Sequence, residues 1–388
     1  MINLKFLRKV RLFCVGLALL LGFHSLLVGL VEAAPPLPPT LPPLVSSPST
    51  TNLPKPTLPP KTTPTTQPRI TPSATPGLAQ PKLVTQPPTL NSTSAIAVDA
   101  DTGRILFTKE AHRQLPMAST TKIMTALTLL SVPEIDLNAE TLVVQEDLVG
   151  EANMQLKNGE RIKLLSLLIG LLTNSANEAG MTLARYVGAR IPGPADPISR
   201  FVALMNSKAL ALGMFDSHYM NPHGLDQSGH YSSAYDLAIS GWYALHHPTI
   251  KSIIRLDTYN FEGHDFYNVN NFIRRYPGAT GIKPGWTDDA GRCLIASATN
   301  YGHTVIGVIL NAPYDSVAAD IDTLMDYSFS LLTNQAQPQL DLSGPSAYIG
   351  LPEGDHLAPF DTKPLVEFFR GLGLNLGQWL QLLQQSKK

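Results

Sequence analysis

The chain has 388 residues and a formal net charge of −1, and 44% of its residues are hydrophobic while 15% are charged. This length and apolar content allow one large or two ordinary domains with a sizeable core. The balanced charge gives no support for a nucleic-acid-binding protein, which usually has a basic excess. The two cysteines are Cys14 and Cys293. Removal of an N-terminal segment would therefore leave no intrachain disulfide, and packing must hold the fold.

Residues 1–33 are predicted to be a signal peptide. Four basic residues precede an apolar stretch over 13–30, and small residues follow at a plausible cleavage position. The apolar stretch also approaches the length of a membrane span, so an uncleaved signal anchor is the alternative. In both cases we expect an extracytoplasmic protein, either secreted or tethered to the membrane.

Residues 34–91 are predicted to be a disordered linker. They hold 18 of the 33 prolines, together with many threonines and serines and almost no aromatic residue. Such a segment cannot bury enough apolar surface to fold, so an extended, polyproline-like chain is expected. Both a stalk that holds a domain away from a membrane and a passive tether fit this composition.

The folded domain is predicted at residues 92–332. A strand-like run over 95–99 turns back over 104–108, and two alternating runs at 292–299 and 303–310 indicate a second hairpin. The apolar spacing predicts helices over 123–130, 161–172, 178–187, 198–212, 234–246 and 316–332. This order predicts one α/β domain whose sheet is built from both ends of the domain, with a helical insertion between them.

Ser119 and Lys122 form a Ser-x-x-Lys pattern at the start of the first predicted helix. Residues three apart on a helix lie on one face, so the hydroxyl and the amine are expected side by side. A serine attacks well only when a base takes its proton, and lysine serves as that base when desolvation or a neighbouring cation lowers its pKa. Taken alone, the pattern also fits a helix N-cap serine with a solvated lysine.

Two later stretches carry groups that could share a cleft with Ser119. The run 175–177, Ser-Ala-Asn, lies between two predicted helices and offers a second hydroxyl and an amide. The run 281–287 precedes the second hairpin and is predicted at a sheet edge, where Lys283 supplies a positive charge. Gly285 has no side chain, so a substrate backbone could lie against this strand.

The motifs Ser-x-x-Lys, Ser-x-Asn and a Lys-x-Gly in place of Lys-Thr-Gly, in this order, resemble those of penicillin-binding proteins and serine β-lactamases. Further blocks resemble the low-molecular-weight D-alanyl-D-alanine carboxypeptidases, serine peptidase family S11; they lie at 201–206, 221–225, 230–234 and 289–298. The resemblance covers about residues 92–332. It implies the β-lactamase/DD-peptidase-like fold, an α/β (α+β) domain with an antiparallel sheet flanked by helices and a helical subdomain.

The resemblance also implies catalytic roles. Ser119 would attack the carbonyl of the penultimate D-Ala and become acylated, with Lys122 as its general base. Ser175 would relay a proton to the leaving group. No metal or organic cofactor is implied. The implied partners are peptidoglycan stem peptides as substrates and β-lactam antibiotics as covalent inhibitors.

Four residues are expected to bind the substrate. On the same resemblance, Asn177 would hold the substrate backbone or Lys122, and Lys283 would attract the terminal carboxylate. Gly285 would leave room for the substrate backbone. The backbone N–H groups of Trp286 and of the nucleophile would form the oxyanion hole that stabilises the tetrahedral intermediate. The indole of Trp286 fits either a cleft wall or a packing residue on the strand face.

Two departures from the family pattern concern carboxylate recognition. Pro284 stands where the family has threonine, so the hydroxyl that would contact the carboxylate is missing. An edge strand tolerates a proline whose nitrogen faces outward, so we expect the sheet to survive and carboxylate recognition to weaken. Relatives also often carry an arginine near the place of Val317, yet residues 311–320 contain no Arg or Lys. Arg274 and Arg275 are the candidates to compensate.

These departures keep other functions open. A DD-endopeptidase that acts on cross-links needs no carboxylate at that point, and a degenerate penicillin-binding or peptidoglycan-binding module would bind without turnover. A β-lactamase is disfavoured because no added glutamate motif for deacylation is visible. The spacing of His218, His223 and His230 matches no zinc pattern, so no metal site is predicted, and the last two are expected to make structural hydrogen bonds under the cleft.

The tail, residues 333–388, carries apolar residues at amphipathic helical spacing beyond residue 364. Three glycines weaken this predicted helix, and basic residues are few. Contact with a membrane and packing against the domain or a partner protein are the two alternatives.

Overall fold

The computed structural model describes residues 86–333 and Ile349. The predicted signal peptide, the predicted linker up to residue 85, and the predicted tail helix lie outside the described residues. No helix in the described part of the chain is both long enough and apolar enough to span a membrane.

A five-stranded antiparallel sheet organises the described residues. In spatial order its strands are β2 (Ile105–Lys109), β1 (Ser94–Asp99), β9 (His303–Ala312), β8 (Gly291–Asn300) and β7 (Ala279–Thr287). Ala95 in β1 pairs with Ile309 in β9, so the sheet joins the two ends of the domain as predicted. Among the described residues β7 has a neighbouring strand on one side only, so its other side is a free edge of the sheet.

The segment between β2 and β7 is largely helical. Its helices are α1 (Thr121–Leu130), α2 (Leu164–Leu172), α3 (Asn177–Gly188), α4 (Pro197–Ala211), α5 (Ala234–His246), α6 (Pro248–Ile253) and α7 (Phe272–Arg275). It also contains two short antiparallel ribbons, which are β3 (Glu140–Leu142) with β4 (Arg161–Lys163) and β5 (Thr258–Phe261) with β6 (His264–Tyr267). After the sheet, α8 (Val317–Thr333) closes the domain.

Local sequence signals set the starts of two of these helices. The side chain of Asp196 accepts a hydrogen bond from the Ser199 N–H, and Pro197 occupies the first turn of α4. The hydroxyl of Ser233 accepts from the Asp236 N–H at the start of α5. These caps satisfy N–H groups that have no partner within the helix, and they stabilise a helix by about 1 kcal/mol each.

The two faces of the sheet are covered by different layers. Successive side chains in β8 point to opposite faces, so Cys293 and Ile295 pack with the helical segment whereas Leu294 and Ala296 pack with α8. Cys293 is a free, buried cysteine in this layer. The α8 layer is contributed by Ile321, Leu324, Met325 and Phe329. The sheet is therefore the central layer of three.

Most predicted elements are confirmed with small changes at their ends. The helix predicted over 161–172 is wrong in its first three residues, which form β4 and pair with β3. The β5–β6 ribbon was not predicted. Its side chains are mostly exposed or half-buried, so the sequence lacks the apolar alternation that marks a strand.

The N-terminal end of the described region is fixed by α8. Leu90 is buried in the core between the sheet and α8. The carboxylate of Asp320 accepts hydrogen bonds from the backbone N–H groups of Asn91 and Ser92, at 3.1 and 2.6 Å. Packed structure thus begins two residues before the predicted boundary at residue 92.

Candidate active site

Ser119 lies in a tight turn that precedes α1. Residues Ala118–Thr120 form one turn of 3₁₀ helix, and Ala118 has a φ of +48°, a conformation that costs free energy for any residue with a side chain. The hydroxyl of Thr121 donates to the Ala118 carbonyl at 2.7 Å, and that of Thr120 donates to the Met117 carbonyl at 2.6 Å. These bonds hold the turn that presents the Ser119 hydroxyl.

Lys122 is fully buried one turn further on, beside Ser119. Its Nζ lies 2.8 Å from the Ser119 Oγ, 2.7 Å from the Asn177 Oδ1 and 2.6 Å from the His223 carbonyl oxygen. When the amine is neutral, its two N–H groups serve Asn177 and His223 and its lone pair faces the Ser119 hydroxyl. The predicted juxtaposition of the Ser119 hydroxyl and the Lys122 amine is thus present in the structure.

The electrostatic environment favours the neutral form of this amine. Burial lowers the pKa of Lys122 well below its ordinary value, and the charge of Lys283 lowers it further. The carboxylate of Glu178 acts in the opposite direction. Lys122 can therefore accept a proton from Ser119, as a general base must.

The turn between α2 and α3 carries Ser175 and Asn177. Ser175 is buried with a φ of +61°, and the Ala176 N–H donates to the Gly170 carbonyl at 3.1 Å. Asn177 uses its side-chain oxygen to bind Lys122, which is one of its two predicted roles. Ser175 therefore lies two residues before Asn177, whose side chain hydrogen-bonds to Lys122.

The free-edge strand β7 passes directly beside the nucleophile. A Cβ atom added at Gly285 would lie 2.7 Å from the Ser119 backbone nitrogen and 3.0 Å from the Ala118 Cβ. Only glycine permits this approach. Lys283 is fully buried on the same face, and burial lowers its pKa to about 7. Its Nζ donates to the Pro284 carbonyl at 3.1 Å.

A loop over residues 221–230 packs against the turn Ala118–Thr120, which carries Ser119. A Cβ at Gly224, whose φ is +94°, would overlap the Ala118 carbonyl, so glycine is required there. His230 lies 2.8 Å from the Thr121 hydroxyl through its Nε2, and its Nδ1 accepts from the Met220 N–H at 3.0 Å. The predicted structural hydrogen bonds of His230 are confirmed.

His223 is also held by structural bonds, as predicted. Its Nδ1 accepts from the Leu225 N–H at 3.1 Å, while its carbonyl oxygen binds Lys122. Burial lowers the pKa of His223 to about 3 and that of His230 to about 4. Both rings are therefore neutral at physiological pH.

Two residues near the site were missed by sequence analysis. Glu178 directly follows Asn177 and is buried, and one of its oxygens accepts from the Met154 N–H at 2.6 Å. The sequence signal that could have identified Glu178 is an acidic residue directly after the Ser-x-Asn motif. Arg292 has its guanidinium carbon 5.3 Å from the centroid of the Trp286 ring. Linear spacing could not reveal this contact because it is made across two strands.

Trp286 makes the packing contact that was one of its two predicted alternatives. Its indole is 53% exposed and packs on the strand face against Arg292. The two arginines suggested as substitutes for the family's missing arginine are otherwise engaged. Arg274 forms an ion pair with Asp257, and Arg275 forms one with Asp322. These pairings argue against the expectation that either arginine supplies the missing cation.

One group of side chains within residues 86–333 has the spacing of metal ligands. It consists of Asp99, Asp101 and His303, at the opposite end of the sheet from β7 residue Thr287. Asp99 already accepts hydrogen bonds from the Asp101 N–H and the Thr102 hydroxyl. This group takes no part in the chemistry at Ser119.

Solved structures share this architecture. The Streptomyces K15 DD-transpeptidase aligns with a TM-score of 0.60 at 27% identity, over 63% of this chain and all of that one. A penicillin-binding protein homolog from Mycobacterium tuberculosis aligns with a TM-score of 0.59 at 29% identity, over 67% of this chain and 98% of that one. The predicted α/β fold with an antiparallel sheet is confirmed.

Sequence relatives agree with the structural ones. D-alanyl-D-alanine carboxypeptidase DacF of Bacillus subtilis is 31% identical over 247 residues, which is 61% of this chain and 62% of that protein. The D-alanyl-D-alanine carboxypeptidase of Streptomyces sp. strain K15 is 28% identical over 65% of this chain and 92% of that protein. This chain thus spans under two thirds of the Bacillus relative. The family model for D-alanyl-D-alanine carboxypeptidases matches residues 81–314, more than half of the sequence, and the chain therefore belongs to this family, the S11 serine peptidases.

Proposed function

We propose that this protein is a serine-type D-Ala-D-Ala carboxypeptidase that removes the terminal D-Ala from peptidoglycan stem peptides through an acyl-serine intermediate. The observation that carries the proposal is the 2.8 Å contact between the Ser119 Oγ and the fully buried Nζ of Lys122. Membership of the S11 family supports the same activity.

The acylation step follows from these contacts. Lys122 takes the proton of Ser119 as the Oγ attacks the carbonyl carbon of the penultimate D-Ala. The resulting oxyanion is stabilised by the backbone N–H groups of Ser119 and Trp286, which flank the close approach at Gly285. The peptide C–N bond then breaks, and the terminal D-Ala leaves after its amine receives a proton, which Ser175 relays.

Hydrolysis of the acyl-enzyme reverses the same transfers. A water molecule gives a proton to the base and attacks the ester carbonyl, and the proton returns to the Ser119 Oγ as the ester bond breaks. Asn177 holds the Lys122 amine in place throughout, since its Oδ1 lies 2.7 Å from the Nζ. No cofactor enters this sequence of steps.

Substrate binding relies on the free edge of β7. The stem peptide lies along this edge beside Gly285, whose missing side chain lets the strand approach the turn that carries Ser119. Lys283 attracts the terminal carboxylate while it is protonated. β-Lactam antibiotics present a carbonyl and a carboxylate of similar spacing, so they acylate Ser119 covalently.

The experiment combines covalent labelling with a product assay on the purified protein. Fluorescent penicillin should label the wild type at Ser119, as located by mass spectrometry, and D-Ala should be released from a stem pentapeptide. Ser119→Ala should lose both signals while circular dichroism shows an unchanged fold. Labelling that survives this substitution would refute the proposal.

A DD-endopeptidase is the second candidate, and Pro284 is the observation that favours it. Proline offers no hydroxyl to a terminal carboxylate, and a cross-linked substrate need not end at that point. Cleavage of a cross-linked muropeptide without release of D-Ala from the pentapeptide would identify this activity. Label without either product would identify a binding module.

We further propose that the chain acts outside the cytoplasm, which follows from a cell-wall substrate. In this proposal residues 1–33 direct export, residues 34–91 tether the catalytic domain 92–332, and the tail 333–388 contacts a membrane or a partner. Fractionation of cells that produce the protein, with mass measurement of its mature N-terminus, distinguishes a secreted form from a membrane-tethered one.

A further inference from the structure

Glu178 is a buried acidic residue in the first turn of α3, directly after the site residue Asn177. Its Oε1 accepts a hydrogen bond from the Met154 N–H at 2.6 Å. That bond is shorter than the usual length of about 2.9–3.0 Å between neutral groups, as expected for an ionised acceptor. The first turn of a helix also favours a negative charge, because its unpaired N–H groups carry a partial positive charge. The position of Glu178 thus favours a buried negative charge.

The carboxylate of Glu178 fixes the segment over residues 150–156, which packs against Asn177. The Ala152 carbonyl of this segment accepts from the Asn177 N–H at 2.8 Å. A Cβ atom added at Gly150 would overlap the Asn177 Nδ2, so the backbone of the segment lies directly against the amide. This amide is the group whose oxygen binds the general base. Glu178 therefore helps to hold the amide in the orientation that the base requires.

Glu178 also acts on the Lys122 amine through its charge. Burial and the charge of Lys283 lower the pKa of Lys122, whereas the charge of Glu178 raises it. Burial raises the pKa of Glu178, and the charge of Lys122 opposes that rise. The rings of His223 and His230, which also sense the charge of Lys122, are neutral at physiological pH. Glu178 is thus the negative charge that opposes Lys283 at the base.

The opposing charges keep the base from becoming too weak. When Lys122 is neutral, the positive charge of Lys283 and the negative charge of Glu178 cancel, and a buried charge is tolerated when an opposite charge compensates it. Without Glu178, a proton on Lys122 would meet only burial and a second cation. A general base works best when its pKa lies near the working pH, so a base with too low a pKa removes a proton poorly.

We propose that Glu178 is a positioning residue for the general base: its carboxylate holds residues 150–156 against Asn177, and its charge keeps Lys122 basic enough to take the proton of Ser119. The proton moves from the Ser119 Oγ to the Lys122 Nζ, and Glu178 neither gives nor receives it. The inference rests on the proposed function and adds to it a residue outside the three motifs.

The test measures how acylation by benzylpenicillin depends on pH in the full chain. Glu178→Gln removes the charge but keeps a side-chain oxygen for the Met154 N–H. The Oε2 of Glu178 accepts no hydrogen bond from the described residues, so an amide nitrogen in its place breaks no existing bond. The acid limb of the acylation rate, where Lys122 loses its proton, should move to lower pH by about one unit, the lower end of the effect of a neighbouring opposite charge. The plateau rate should fall by up to about 10-fold, because the base is weaker.

Two further variants separate the charge from the packing. Glu178→Asp keeps the charge but shortens the reach toward the Met154 N–H, so its acid limb should stay at the wild-type pH while its plateau falls. The matched control is Glu151→Gln, which removes the same charge from an exposed position in the same segment and should change neither the limb nor the plateau. Circular dichroism checks the fold of each variant.

Each part of the proposal has a result that overturns it. An acid limb of Glu178→Gln at the wild-type pH, with only a lower rate, would show a structural role and overturn the role of the charge. A wild-type plateau in Glu178→Asp would overturn the positioning of Asn177. The aspartate variant carries the test by itself if the glutamine variant does not fold, because a limb that moves despite the retained charge would also overturn the proposal.

Failure of the proposed function gives a different result. Acylation by benzylpenicillin requires the Ser119 hydroxyl and its base but no release of D-Ala. A wild type that takes the label without releasing D-Ala therefore overturns the carboxypeptidase proposal, while the acid limb still decides the role of Glu178. A wild type that takes no label overturns both proposals.

Discussion

Two buried lysines meet near Ser119, and their protonation requirements are opposite. Lys122 must be neutral to take a proton from Ser119, whereas Lys283 must be charged to attract a carboxylate. Burial lowers the pKa of both side chains, and the charge of Lys283 helps to keep Lys122 neutral. In the proposed mechanism, the Lys283 cation therefore both keeps the base neutral and recruits the substrate.

This arrangement predicts that Lys283 sets the alkaline limit of activity. As pH rises through about 7, the pKa of Lys283, its ammonium loses a proton and its attraction for the carboxylate is lost. In Lys283→Arg the charge persists, so the decline in kcat/KM should move to higher pH. The measurement is kcat/KM for a pentapeptide from acid to alkaline pH in both proteins. An alkaline limb at the same pH in both would contradict this role.

Gly285 limits the distance between the edge strand and the nucleophile. In Gly285→Ala the new methyl group would lie 2.7 Å from the Ser119 nitrogen, so strand and turn must separate. We expect acylation by penicillin to slow by about 100-fold, the cost typical of a displacement near 1 Å. Stopped-flow labelling measures this rate. Gly302→Ala is the control: its φ of +83° strains the turn, but no atom lies within 4 Å of the added Cβ and the rate of labelling should be that of the wild type.

The loop over residues 221–230 connects two elements of the site, α1 and β7. His230 binds Thr121 in α1, and the Asp226 carboxylate accepts from the Thr287 hydroxyl at the end of β7 at 2.6 Å. The His223 carbonyl binds Lys122. This loop therefore sets the spacing between α1 and the edge strand, although none of its side chains hydrogen-bonds to the Ser119 hydroxyl.

The neutral state of His230 predicts acid sensitivity. Its folded pKa of about 4 lies below its ordinary value of 6.5, because burial disfavours the charged ring. Between these values the unfolded chain binds a proton that the folded chain does not bind. Stability conferred by His230 is therefore complete above pH 6.5 and is lost as pH falls toward 4, by up to about 1.4 kcal/mol per pH unit.

Denaturant unfolding at several pH values tests this acid sensitivity. In His230→Asn the stability should depend less steeply on pH over that window than in the wild type. The substitution of His246, an exposed histidine, by Asn serves as the control and should keep the wild-type slope. An unchanged slope in His230→Asn would show that this ring does not resist protonation in the folded state.

At the scale of the whole molecule, the central sheet could be predicted from the sequence. Which side chains meet at the site could be predicted only in part. Strong alternation over 292–299 and 303–310 marked β8 and β9, and apolar spacing marked α5 to the residue. The meeting of Lys122 with Asn177 was expected only from the family resemblance. The position of Arg292 beside Trp286 depends on cross-strand register, which no local pattern encodes.

The start of the domain is held to α8 by the burial of Leu90 and by hydrogen bonds from Asn91 and Ser92 to Asp320. The stability of a fragment should therefore depend on the residue at which it begins. A chain that starts at residue 93 loses the burial of Leu90, which is typically worth about 1.5–3 kcal/mol. It also leaves the Asp320 carboxylate without its donors. Its thermal midpoint should fall by several degrees, while a chain that starts at residue 86 should match the full chain. Equal midpoints for both fragments would refute this prediction.

The pairing of β1 with β9 has a consequence for the newly made chain. Ser119 and Lys122 are synthesised early, but the strand that supplies Gly285 and the strands that hold it come more than 150 residues later. A nascent or prematurely terminated chain that lacks β7, β8 and β9 contains the nucleophile and its base without the edge that receives substrate. Under the proposed function, hydrolytic capacity is therefore withheld until β7, β8 and β9 have been synthesised, and we expect a truncated product to be inactive.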